Sequence, residues 1–347
     1  MGRDAVSRTS ASAVVRWFAP VVPAGRVAIL RTVLYLFVVL DIHLLVRDPI
    51  PLSRHPELYR PLLVERIFHL PPPSVPLTVT LYVVIMVGSV VAAAGRAPRL
   101  AGWAVAAAFT RWTAIGMSYG KVDHDHLALI VAVWVLPTVG VVHDRWRSEV
   151  LSDQAGWALR CIQIAVIATY FLSAVTKIRS GGWSFTSWPE SAILTWAIVR
   201  RPHALGQLLL PHPQVLHVMQ WMSFLAELTS PVVLWLRRRA LLAAAVFWMS
   251  FHVFTTAMLY IHFAPTVICW LAFAPLERWR GSHRIVWPAR VSDRWRRSKE
   301  AAPRIPVSER LGPRARRVES GRREGAGGGA TRHPAPVAGD EAVDGGR

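Results

Sequence analysis

A chain of 347 residues is long enough for two soluble domains, but 53% hydrophobic residues, 16 tryptophans and a positive mean hydropathy exclude an ordinary soluble protein of this size. The formal net charge of +19 would suit a nucleic-acid binder, yet seventeen of the 40 lysines and arginines lie beyond residue 277, so the apolar part is only mildly basic. An anionic membrane leaflet is the more economical partner for that charge, and no nucleic acid is expected.

The pattern predicts an all-α, polytopic transmembrane helical bundle embedded in the lipid bilayer. Residues 1–26 read as an N-terminal cytoplasmic or interfacial segment. Arg16, Pro20 and Pro23 interrupt its apolar stretch, so no cleavable leader is expected and the first span serves as an uncleaved insertion signal. A span needs roughly 20 residues of apolar helix. About eight runs approach this, at 27–46, 77–94, 100–119, 126–142, 157–177, 214–236, 240–258 and 262–276. The last is short, which leaves seven spans as the alternative. Between the first two, Asp48 to Pro76 is proline-rich and reads as irregular chain at the membrane surface. Residues 187–200 put Ile193, Trp196, Ala197 and Arg200 at helical spacing, as in a helix lying in the interface. After the transmembrane domain at 27–276, residues 277–347 hold arginine clusters, glycine and proline without apolar periodicity, the composition of a disordered basic tail. Cys161 and Cys269 each sit inside an apolar run with no CxxC spacing and read as small packing residues.

The distribution of positive charge sets the orientation. With the N-terminus inside, one face receives Arg3, Arg8, Arg16 and Arg26, then Arg96 and Arg99, then Arg145 and Arg147. Arg237, Arg238, Arg239 and the tail fall on the same side. The prediction is a multi-pass protein of the cell membrane with both termini cytoplasmic.

Ionisable residues inside spans are costly and default to pairing or function. Arg31, Asp41, His43, Arg111, Arg160, Glu227 and His252 lie within predicted spans, Lys121 to His126 lead into the fourth, and Lys177 ends the fifth. In the predicted topology Asp41, His43, His126, Lys177, His252 and His262 share the outer half of the bundle, which implies a polar cavity opening outward. Lys177 carries most weight. The only lysines are Lys121, Lys177 and Lys299, so nearly every other positive charge is arginine. Arginine cannot lose its proton in a protein, whereas a desolvated lysine can and then acts as a base. The plainer alternative is a lysine snorkelling to the interface. His124 and His126, flanked by Asp123 and Asp125, have the chemistry of transition-metal ligands. However, His-x-His on a helix turns the two rings to different faces, so no metal is expected. His126 reads instead as a hydrogen-bonding histidine at the cavity mouth, its tautomer set by Asp123 or Asp125.

The stretch Tyr170-Phe-Leu-Ser-Ala-Val-Thr-Lys177-Ile-Arg-Ser-Gly-Gly-Trp183 resembles the lysine-to-tryptophan signature of the vitamin K-dependent gamma-carboxylase family, whose membrane part is the horizontally transferred transmembrane domain. Asp125-His126-Leu-Ala-Leu resembles a second family motif with asparagine in the Asp125 place, and Glu227 to Pro231 and Phe251-His252 resemble later polar positions. The resemblance implies a lysine general base at Lys177 acting on a reduced menaquinone or vitamin K-type quinone. In the family the deprotonated quinol reacts with oxygen to give a strong base that removes a glutamate γ-proton before carbon dioxide adds. It also implies that His126 stabilises the developing anion or orients the quinone, and makes Asp125, Trp183, Glu227 and His252 candidates for substrate binding, to which Arg111 is added as a charge near the middle of the third predicted span. The family's glycine after the tryptophan is replaced here by Ser184-Phe185-Thr186. Similar domains occur in small bacterial membrane proteins of the sporulation-delaying protein B type. The alternative is therefore a non-catalytic carrier or accessory protein for maturing or exporting a secreted peptide.

Overall fold

The computed structural model describes residues 12–139 and 146–280. The expected disordered tail, beyond its first four residues, and Arg3, Arg8 and Arg145 of the charge-sidedness argument lie outside the described residues.

Among the described residues the chain is helical apart from one minimal strand pair. Helix α1 (Ala13–Phe18) and strand β1 (Val22–Pro23) lead into α2 (Ala24–Leu44). Two short helices, α3 (Pro49–Leu52) and α4 (Leu63–Ile67), precede the hairpin of α5 (Val75–Ala93) and α6 (Pro98–Ser118). Next come α7 (Leu127–Val135), strand β2 (Leu151–Ser152) and α8 (Asp153–Ser180). The rest is α9 (Ile193–Arg200), α10 (Ala204–Leu209), α11 (Pro213–Thr229), α12 (Arg238–Leu259) and α13 (Ala264–Cys269). Strands β1 and β2 run antiparallel, with Val22 opposite Ser152 and Pro23 opposite Leu151.

Four helices, α2, α5, α8 and α12, are long and apolar enough to cross a membrane. The other predicted spans fall short of that standard for identifiable reasons. α6 has the length but carries Arg99 and Arg111 among small residues. Pro137 and Pro231 each lack the N–H that an α-helix needs, and there α7 and α11 tighten into 3-10 turns over Leu136–Thr138 and Ser230–Trp235. α13 has only six residues before a 3-10 turn, Trp270–Phe273. The helix expected from residue 187 begins at Ile193, because 184–191 form turns.

The main core lies between α2, α6, α7 and α8, where Leu30, Leu34, Tyr35, Phe109, Trp112, Leu129 and Ile162 are completely or almost completely buried. By contrast, α5 and α12 turn Val83, Val87, Leu242 and Val253 outward, an apolar surface suited to lipid. The segment before β1 crosses α8 so closely that a Cβ on Gly156 would overlap the Pro20 carbonyl. The same end of the bundle is tied by Arg26 at the start of α2. Its Nε and Nη2 donate to the two carboxylate oxygens of Glu277 at 2.8 and 2.6 Å.

Burial alone would raise the Glu277 carboxyl, but the hydrogen bonds and charge of Arg26 outweigh it and hold the group below the usual carboxylate range. A depressed folded-state value means the pair contributes stability above the carboxyl's unfolded pKa and loses it as pH falls through the folded one. The thermal midpoint of the detergent-solubilised protein should therefore drop on acidification, and Glu277→Gln should remove part of that drop while lowering the midpoint near neutrality. An identical pH profile in the variant would show that the pair contributes nothing.

Candidate functional site

α8 begins where Ser152 caps it, its hydroxyl accepting from the Ala155 N–H at 3.1 Å. Along this helix Tyr170, Ser173 and Lys177 recur at i, i+3 and i+7, so one face carries all three. α11 repeats the spacing with Gln220, Ser223 and Glu227, and α12 brings Phe247, Phe251 and His252. These faces enclose a cavity of about 600 Å³, closed further by Trp188 and by Phe263. Its surface is largely apolar, made by aromatic rings, methionines and aliphatic side chains, with polar groups interspersed at defined places.

At one pole, the Lys177 Nζ donates to Glu227 Oε2 at 2.5 Å and stands 4.2 Å from the centre of the Trp188 ring. The two side chains are only 17% and 9% exposed, so this pair is desolvated and each charge depends on the other. The other pole lies two helical turns away along α8, roughly 10 Å. There the Trp270 indole N–H donates to the Tyr170 hydroxyl at 2.8 Å, and that hydroxyl is 2.7 Å from His252 Nε2. Tyr170 also stacks on Trp248 with ring centres 3.8 Å apart. An occupant thus meets the hydrogen-bonded Lys177–Glu227 pair at one end and a hydrogen-bonded histidine at the other, between aromatic faces.

Of the residues singled out in the sequence, Lys177, Glu227 and His252 line this cavity together. The other candidates for catalysis or substrate binding, His126, Asp125, Arg111 and Trp183, do not line it, and neither do Asp41, His43 and His262, which were expected to share an outward cavity with Lys177. His126 has both ring nitrogens engaged, Nε2 at 3.2 Å from each Asp41 oxygen and Nδ1 at 3.2 Å from Asp125 Oδ1. Asp125 in turn has its main-chain carbonyl held by the Thr266 hydroxyl at 2.7 Å. Together they form a buried polar cluster joining α2, the turn before α7, and α13. Because His124–His126 is a 3-10 turn, alternate residues diverge, and it is His124 that reaches the cavity. Arg111 pairs instead with Glu65 and donates to the Pro71 carbonyl. Trp183, at a positive φ of 65°, is 69% exposed.

The sequence reading missed Tyr170, Gln220 and Trp188. The first two were findable, since each stands seven residues before a polar residue already noted, on the same helical face. Trp188 comes from a turn and no periodicity points to it. Among the described residues, no group of three or more His, Cys, Asp or Glu side chains is arranged to hold a metal ion.

Comparison with known proteins adds one positive finding. The family model described as the HTTM domain matches residues 52–276, more than half of the chain. No curated protein and no solved structure matches it significantly.

Proposed function

The chain belongs to the HTTM domain family, and from that membership we propose that this membrane protein is an enzyme that uses Lys177 as a general base toward a lipid-soluble quinone at the extracytoplasmic face. The observation that carries the reading is the Lys177–Glu227 pair at the wall of an aromatic cavity. A snorkelling lysine would extend its ammonium to the interface, but this one is bonded inward. In an apolar site the ion pair and the neutral pair lie closer in energy than in water. Glu227 Oε2, 2.5 Å from Nζ, is the acceptor placed to relay a proton to or from the lysine when it serves as the base.

A flat, largely apolar ring fits a cavity of about 600 Å³ lined by Trp188, Phe247, Phe251 and Phe263. When bound, a reduced quinone of the menaquinone or vitamin K type supplies the acidic hydroxyl and the reducing electrons. His252, fixed by Tyr170, orients the far edge, and the aromatic walls exclude water. His126 and Asp125 act from behind the wall by holding α13 against the turn that bears His124. The substrate on which the activated group acts is a secreted peptide or protein, and the reaction the family resemblance implies is carboxylation of a glutamate, with dioxygen taking the quinol's electrons and carbon dioxide replacing the γ-proton. The test is quinol oxidation in membranes, with and without a glutamate-containing peptide, in wild type and Lys177→Arg.

The second reading is a non-catalytic carrier or accessory protein for a secreted peptide. It is favoured by one fact: Lys177 and Glu227 already satisfy each other, as a purely structural pair would.

In the proposed topology the bundle crosses the membrane about eight times, the shorter and broken helices completing the count of the four long ones. Both termini, including the basic tail, then lie in the cytoplasm, and Lys177 to Arg201 lies outside. In a protein freed of Cys161 and Cys269, a cysteine at position 180 in place of Ser180 should react with an impermeant maleimide added outside intact cells. Reaction only after the cytoplasmic side is opened would invert the topology and remove the extracytoplasmic assignment.

A further inference from the structure

We infer that Gln220 and Trp188 are positioning residues for Lys177: Gln220 latches the turn that holds the Trp188 indole over the lysine, fixing how Nζ faces the cavity. The inference deepens the reading of Lys177 as a base and rests on it for its functional meaning, though not for its geometry.

The segment between α8 and α9 has no regular secondary structure to anchor it. Its start is a local turn in which the Ser184 hydroxyl accepts from the N–H groups of Thr186 and Ser187, each at 3.2 Å. Its second half is held chiefly by one side chain of α11, with Trp221 Nε1 donating to Glu190 at 3.1 Å as a lesser tie. Gln220 is 2% exposed. Its Nε2 reaches the main-chain carbonyls of Trp188, Pro189 and Ser191 at 2.5, 3.1 and 2.7 Å. Its Oε1 accepts from the Leu194 N–H at 2.9 Å, one of the donors that the first turn of α9 leaves without a helical partner. An amide alone offers two donor hydrogens and an acceptor at this reach. Glutamate would set a carboxylate against three carbonyl oxygens, and methionine would fill the volume with no hydrogen bond at all.

What the latch holds is specific. The Trp188 ring centre is 4.2 Å from Lys177 Nζ, with Phe224 of α11 against the indole at 6.4 Å. An ammonium has three N–H donors. One goes to Glu227, a second faces the electron-rich indole, and the third is left for whatever occupies the cavity. Gln220 and Glu227 lie seven residues apart on one face of α11. That helix therefore grips Lys177 twice, directly through the carboxylate and indirectly through the latched tryptophan. A loop staple of no further consequence would need Gln220 but would be indifferent to an aromatic ring at 188.

The test needs neither quinone nor substrate, and the scarcity of lysines makes it clean. Full-length protein in native membranes is treated with formaldehyde and a borane reductant, and methylation of each lysine is followed by mass spectrometry. Lys121, 60% exposed, is the internal reference. In wild type, Lys177 should react much more slowly than Lys121. Gln220→Met and Trp188→Leu should each raise the Lys177 rate about tenfold with Lys121 unchanged, whereas Trp188→Phe, which keeps an aromatic face, should stay within about twofold of wild type. The inference is overturned if Gln220→Met leaves Lys177 at the wild-type rate, or if Trp188→Leu and Trp188→Phe behave alike. It is overturned equally if Gln220→Met accelerates both lysines together, since the residue is then a general fold staple. Full quinol turnover by Lys177→Arg would remove the base assignment without changing any of these rates, so the two failures are distinguishable.

Discussion

Lys177→Arg should abolish quinol oxidation while the protein inserts and expresses as before. The reasoning depends on what the substitution preserves. Arginine retains the positive charge, forks onto a carboxylate and stacks on aromatic faces at least as well as lysine, so Glu227 and Trp188 both keep a partner. What arginine cannot do is give up its proton at any accessible pH. Loss of a general base costs on the order of 10²–10⁴ in rate, and more where no water can substitute. The measurement is oxidation of a reduced naphthoquinone in membranes, with and without a glutamate-containing peptide. Turnover at the wild-type rate would dismiss Lys177 as the base, and wild-type oxidation no faster than in membranes lacking the protein would leave the carrier or accessory reading in possession.

The largest stability effect is expected at Glu65. Its carboxylate is completely buried and accepts from the Ser118 hydroxyl at 2.6 Å, from the Leu62 N–H at 3.0 Å and from Arg111. The Arg111 guanidinium is 11% exposed and also donates to the Pro71 carbonyl. This cluster pins the proline-rich crossing between α2 and α5 onto α6. Glu65→Ala removes one charge and strands the other, which costs about 3–5 kcal/mol for a buried pair. Replacing both partners by apolar residues, as in Glu65→Leu with Arg111→Met, leaves no orphaned charge and should recover most of that loss. Thermal unfolding in detergent of the single and double variants would show it. A Glu65→Ala protein as stable as wild type would refute the pin. If the double variant is stable but inactive, Arg111 contacts substrate after all, as the sequence alone had implied.

Much of the helical framework was legible, and for plain reasons. Prolines in the first turn of α5, α6, α11 and α13 mark helix starts, because a missing N–H costs nothing there. The same residue type misled further along. Pro137 and Pro231 sit inside apolar runs that hydropathy extends without a break, yet each converts the helix end to a 3-10 turn. Lys177 stood out through its rarity, a signal that survives without any structure. The pairing with Glu227 spans 50 positions of sequence and had no local trace. For His126 the composition was right and the direction was hidden, since the turn before α7 decides whether His124 or His126 faces the cavity. Trp183 and Trp188 differ in the same way: one carries the motif resemblance and is exposed, the other meets the lysine.

Arg26 and Glu277 bracket nearly the whole described bundle, one at its first long helix and the other in its last turn. During synthesis α2 therefore emerges without its final partner and must wait for the rest of the bundle to follow. Likewise β1 has nothing to pair with until residue 151 has left the ribosome. α2 is made well before the segments that complete it, and Arg31 and Asp41, buried in the finished bundle, lack that cover during the interval. The vulnerable period of folding then runs from the synthesis of α2, with its two internal charges, until the helices that bury them have followed.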